Sequence, residues 1–248
     1  MKTIVLCGGK GTRLDRHGAL IPKALFRIGP EPLILHLMRI YRNFGLTDFT
    51  LSLGYLAEEF GKYFKLPVAC PAEPAEAAEL DLDGGPTVGL ELVDTGLETN
   101  TGGRVKKLES HITDETFCVT YGDGLADVDL STLIDFHRSH DKIATLTAVN
   151  PISNFGLLDL GQDGTVESFR EKPKLNEWIN GGFFVFERRI FDYLDDNCVL
   201  EKEPFERLAS EGELMAYRHD GFWKCMDTFK DNVELNEIWD AGAPWKVW

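Results

Sequence analysis

Residues Thr3-Ile4-Val5-Leu6-Cys7-Gly8-Gly9-Lys10-Gly11-Thr12-Arg13-Leu14, with Pro22-Lys23 shortly after, decide how this chain is to be read. The short apolar run, rich in β-branched residues, reads as a buried strand, and the glycines behind it read as a tight turn at the strand's carboxyl end. Such a turn exposes several backbone N–H groups together. Glycines at 8, 9 and 11 let that backbone approach anionic oxygens without Cβ clashes. Arg13 and Lys23 add fixed positive charge, so the stretch reads as a phosphate site. It lacks the closing Gly-Lys-Ser/Thr of a Walker A loop, and its glycine spacing does not fit the G-x-G-x-x-G dinucleotide fingerprint.

Outward from this turn, short β-branched and aromatic runs alternate with helical patterns. Strands are expected at 3–7, 49–53, 90–94, 117–121, 144–149, 183–186 and 214–217, and helices at 33–44, 57–64, 130–140 and 229–239. In the first helix Leu33, Leu37, Ile40 and Phe44 share one face, and Gly45 marks its end. The alternation predicts an α/β fold with a mixed, mainly parallel central sheet flanked by helices. With 248 residues and no linker-like stretch, residues 1–248 are expected to form a single domain. The segment 67–87 differs. Its prolines at 67, 71, 74 and 86 and the acids Glu73, Glu76, Glu79, Asp81 and Asp83 give it little sheet periodicity. An irregular loop or an oligomer-contact arm is expected there.

The chain carries 26 Lys and Arg against 41 Asp and Glu, a formal charge of −15. That balance argues against nucleic-acid or anionic-membrane partners, which select basic surfaces. The first apolar run is too short for a signal peptide or a membrane span, so a cytoplasmic location is expected. Five cysteines with no C-x-x-C spacing suggest reduced, structural thiols rather than a zinc site.

Two acids stand out. Asp123 lies between Gly122 and Gly124 just after the strand expected at 117–121, where open α/β sheets place their ligands. Asp227 follows the run 222–226. Two carboxylates at two strand ends suit one shared Mg²⁺, although Asp123 also suits a turn and Asp227 also suits the cap of the helix beginning near 229. Glu171-Lys172-Pro173-Lys174, with Asn180-Gly181-Gly182 behind it, forms a third cluster, which taken alone reads as a solvated turn. Thr99, Thr101, Gly102, Gly103 and Arg104 form a fourth, another glycine-rich turn beside a cation, suited to a nucleotide.

In sum these motifs make the chain resemble the sugar-nucleotidyltransferases, which join a nucleoside triphosphate to a sugar 1-phosphate and carry GGxGTRL followed by PK. Addition of DTG…TGGR, YGDG, FREKPK, INGGFFV, GFW…MDT and APWK narrows the resemblance to the glucose-1-phosphate cytidylyltransferases, along essentially the whole chain. The resemblance implies a Rossmann-like nucleotidyltransferase fold and a Mg²⁺-dependent, homo-oligomeric enzyme using CTP and glucose 1-phosphate. It places Gly8, Gly9, Gly11, Thr12 and Arg13 on the CTP phosphates, Lys23 on the reacting phosphates, and Thr99, Arg104 and Gly122 on the nucleotide. Arg13, Lys23 and Asp123 become the expected catalytic residues. Lys172, Asn180 and Gly181 fall on the sugar phosphate, and Asp123 and Asp227 on Mg²⁺. Two positions depart from the pattern: Ile21 stands where a second basic residue is expected, and Lys10 where a small or apolar one is common. Trp239, Trp245 and Trp248 suit either a subunit contact or a tail folded back on its own domain.

Overall fold

Every residue of β1 (Lys2–Leu6) is buried, as expected of a central strand covered on both faces. The computed structural model describes residues 1–9, 21–73, 75 and 77–248. Gly11, Thr12 and Arg13, three of the expected phosphate-site residues, lie outside the described residues. Beyond β1 the strands are β2 (Arg27–Ile28), β3 (Glu31–Pro32), β4 (Asp48–Leu53), β5 (Ala78–Leu80), β6 (Val88–Asp94), β7 (Thr116–Tyr121) and β8 (Gly124–Ala126). They continue with β9 (Ala144–Val149), β10 (Leu157–Leu160), β11 (Val166–Arg170), β12 (Ile179–Glu187), β13 (Leu214–His219) and β14 (Trp223–Cys225). The helices are α1 (Leu33–Asn43), α2 (Ala57–Phe64), α3 (Thr101–Lys107), α4 (Leu130–His140), α5 (Glu203–Ser210) and α6 (Phe229–Asp240).

Eight strands join in the order β13-β9-β12-β7-β1-β4-β6-β5. β1 pairs in parallel with β4 and β7, β4 with β6, and β13 with β9, whereas β12 and β5 run against their neighbours. The sheet is therefore mixed and mainly parallel. Alternate side chains separate into two cores, as the pleat requires. Val5, Leu51, Cys118 and Phe183 pack with Leu37 of α1, Leu133 of α4 and Leu235 of α6. Ile4, Leu6, Val119 and Phe184 point the other way, toward Val105 of α3 and Phe205 and Leu208 of α5. Among the described residues no helix is long and apolar enough to cross a membrane.

Segment 67–87 lacks sheet periodicity in its sequence, yet part of it completes the sheet edge. Ala69 donates to the Leu92 carbonyl and accepts from Asp94 N, and β5 pairs antiparallel with β6. Leu82 is buried beneath Arg42, and Asp83 pairs with Arg39. The Thr101–Lys107 stretch corrects the sequence expectation of a glycine-rich turn, because it is helical. A Cβ on Gly102 would lie 2.4 Å from Cys198 Sγ, and one on Gly103 2.4 Å from the Asp196 carbonyl oxygen. These glycines let α3 lie against the 196–200 segment, despite their poor helix propensity.

The C-terminal tail folds back onto its own domain. Trp239 and Trp245 surround the buried His36 ring at centroid distances of 5.0 and 6.1 Å, and Trp248 at 6.2 Å. Burial pushes the His36 pKa down, so the ring stays neutral at pH 7 and accepts from Trp245 Nε1. Trp245 is fully buried. Truncation of Trp245 to Ala should destabilise the fold by about 3–5 kcal/mol, measured by urea unfolding. A loss below about 1 kcal/mol would mean that the tail is not part of the core.

Candidate active site

β1 lies where the connections reverse. The chain leaves it for β4 and β6 on one side and returns for β7 on the other. In an open α/β sheet such a switch point leaves a crevice at the carboxyl ends of the strands. A cleft of about 450 Å³ opens there, lined by the ends of β1 and β7, by Lys23 and by residues 97–101.

Lys23 opens a short 3₁₀ turn behind Pro22, and its side chain reaches into the cleft. Its ammonium lies 2.8 Å from Asp123 Oδ2 and 2.8 Å from Asp227 Oδ1. The acids arrive on a two-stranded ribbon in which β8 pairs antiparallel with β14 and Met226 N donates to the Asp123 carbonyl. Helix α6 is capped by Thr228, in a reciprocal box with Asp231, and not by Asp227. The Asp227 carboxylate is thereby left to Lys23. The hydrogen bond from Lys23 holds its pKa below the usual carboxylate range, against the effect of burial. Burial works against the Lys23 charge, but the two carboxylates outweigh it and raise the ammonium's pKa. Asp227's contribution to stability is thus lost only as pH falls through its lowered value. That of Lys23 is lost only as pH rises through its raised value. Both stay charged across the neutral range.

Arg104 is read from sequence as a nucleotide contact, but its guanidinium is engaged elsewhere. Nη1 donates to the Leu53 carbonyl and Thr95 Oγ1, each at 2.7 Å, and Nη2 to the Gly8 carbonyl at 2.9 Å. It is 4% exposed, and burial lowers its pKa. A Cβ on Gly8 would fall 2.0 Å from Nη1, so Gly8 is small because Arg104 is there. Gly122 has a similar cause, since its Cβ would meet Cys7 Sγ at 2.6 Å while its N–H donates to the Leu6 carbonyl. Gly9 is exposed, with open space at its Cα. Thr99 Oγ1 donates to the Thr95 carbonyl and accepts from Lys107 Nζ.

Across the cleft the Tyr121 hydroxyl donates to Glu201 and accepts from Asn180 Nδ2 at 3.2 Å. Burial, reinforced by the Glu201 carboxylate, pushes the phenol's pKa up and keeps it a neutral donor. Gly182, at φ +80°, would place a Cβ 2.4 Å from the Tyr121 ring. The Gly181 carbonyl accepts from Trp223 Nε1 at 2.8 Å. Asn180 is thus tied to the cleft residue Tyr121 and Gly181 to β14, though neither lines the cleft itself. Lys172 is not among the cleft-lining residues; it sits exposed beyond β11 with a left-handed φ of 43°. Tyr121 and Glu201 were not singled out as site residues in the sequence. The tyrosine's place in the YGDG motif was the available signal, whereas Glu201 lies in no motif.

With this geometry in place, comparison with known proteins is decisive. A family model described as nucleotidyl transferase matches residues 2–237. The chain belongs to the nucleotidyl transferase family. Members of this family generally depend on a divalent metal. The chain is 42% identical to the probable glucose-1-phosphate cytidylyltransferase of Bacillus subtilis and 43% identical to the glucose-1-phosphate cytidylyltransferase of Salmonella typhi, in both cases over the full length of the two chains. Among solved structures, HddC from Yersinia pseudotuberculosis matches with a TM-score of 0.71 at 23% identity, covering 96% of this chain and 99% of that one. A UDP-glucose pyrophosphorylase complexed with UDP-glucose matches with a TM-score of 0.68 at 14% identity, over 97% and 98% of the two chains. These structural matches establish the shared nucleotidyltransferase fold.

The contact between Gly8 and Arg104 can be tested by a double-mutant cycle. Gly8→Ala alone should destabilise the chain by about 1–3 kcal/mol through overpacking. In an Arg104→Ala background the same change should cost far less, a coupling of at least about 1 kcal/mol by urea unfolding. Additive costs would show that the two groups do not meet.

Proposed function

We propose that this nucleotidyl transferase moves a cytidylyl group from CTP to glucose 1-phosphate, releasing pyrophosphate and forming CDP-glucose. Support comes first from the full-length identity of 42% and 43% to two glucose-1-phosphate cytidylyltransferases. The convergence of Asp123 and Asp227 on Lys23, which lines the cleft, supports it further.

Two carboxylates already gathered around one cation, here an ammonium, have the donor chemistry that Mg²⁺ uses, with its other positions left to water and phosphate oxygens. Bound by Asp123 and Asp227, Mg²⁺ would offset the charge of the reacting phosphates. A phosphate oxygen of glucose 1-phosphate attacks the α-phosphorus in line and pyrophosphate leaves. The monoester is already anionic at pH 7, so the step needs no protein base. Lys23 stabilises the equatorial charge, and the backbone around Gly8 and Gly9 receives the phosphates. Gly11, Thr12 and Arg13 join them on the strength of the family resemblance. Arg104 and Gly122 act by shaping the turn, and Thr99 by bracing the 95–99 loop against the nucleotide. Asn180 and Gly181 shape the sugar side, and the family resemblance assigns Lys172 to the acceptor's phosphate although it lies outside the cleft lining. A cytoplasmic homo-oligomer completes this proposal.

Pyrophosphate release should be measured with Mg²⁺, glucose 1-phosphate and CTP, UTP, dTTP, GTP or ATP offered separately. CTP should be preferred; a better rate with another nucleotide would overturn the base assignment. Lys23→Ala and Asp123→Asn should each lower kcat by about 10²–10³ in a folded chain. Near-normal kcat in either variant would remove that residue from the catalytic set.

A further inference from the structure

The Lys23 ammonium is 2.8 Å from a carboxylate oxygen of each acid expected to hold the metal. Magnesium or manganese held by both of those oxygens would sit about 2.1 Å from each, inside the space the ammonium fills. Three positive charges cannot share that volume without strong repulsion. Among the described residues, Lys23 is the one cationic side chain within hydrogen-bond distance of either carboxylate. For a metal to be held by both oxygens the ammonium must therefore move. Four methylene groups give it the reach to do so, and it already lines the cleft in which the phosphates are expected.

We propose that Lys23 has two stations: in the nucleotide-free chain it fills the Asp123–Asp227 pair and excludes a divalent cation, and arriving nucleotide phosphates draw it away and open the pair. Lys23 thus makes metal and nucleotide bind cooperatively, each favouring the other by the same factor. This inference rests on the assignment of Asp123 and Asp227 to the metal under Proposed function.

Mn²⁺ binding to the nucleotide-free chain, followed by electron paramagnetic resonance of the free ion, tests it without any turnover. Lys23→Met should tighten Mn²⁺ binding by about tenfold or more. Lys23→Arg, which restores a cation, should bind Mn²⁺ as weakly as the wild type. In the Lys23→Met/Asp227→Asn double variant the gain should disappear. If Lys23→Met binds no more tightly than wild type, exclusion by the lysine is wrong while the metal assignment stands. If the double variant keeps the gain, the carboxylate pair is not the metal site, and both ideas fall.

Discussion

A buried guanidinium sets the shape of the cleft. Arg104 reaches from α3 to the ends of β1, β4 and β6, donating to the Gly8 and Leu53 carbonyls and to Thr95. The same carbonyls also accept locally, Leu53 from Thr95 N and Oγ1 and Gly8 from Tyr55 N, so the guanidinium joins turns that already have partners of their own. It thereby ties these turns together at close approach and explains why residue 8 has no side chain.

The ribbon formed by β8 and β14 complements this anchor. Arg104 arranges the side of the cleft formed by backbone, whereas the ribbon delivers the acids. The cap box of α6 matters for the same reason, because Thr228 and Asp231 satisfy the helix end between them. Asp227 is free to face Lys23 instead. Local helix chemistry and the charge pattern of the cleft are therefore settled by neighbouring residues with separate tasks.

Most strands and helices were legible from periodicity, because each is long enough to show its buried faces. The seven strands expected from sequence match sheet strands to within a few residues at their ends, and helix 33–44 is helical over Leu33–Asn43. What escaped notice depended on contacts distant in sequence. The helix at Thr101–Lys107 begins with two glycines after a threonine, a local signal for a turn, and the 196–200 segment packed on it leaves no room for larger residues at those two positions. Strand β5 borrows its order from β6. At the site, the residue types at 23, 123 and 227 announced charge, but not that the lysine and both acids would touch. Arg104 read as a ligand contact because a cation beside glycines suits phosphate equally well; only its carbonyl partners show its structural role.

The ribbon also sets when the site becomes complete during synthesis. Lys23 and Asp123 are 100 residues apart, and Lys23 and Asp227 are 204 apart. The strand that carries the second carboxylate follows β1, β4, β6 and the first carboxylate in the chain, so it leaves the ribosome after all of them. Closure of such long loops is slow relative to local structure. Until then the growing polypeptide offers a half-built polyanion site with one acid, poorly equipped to retain a metal–triphosphate complex.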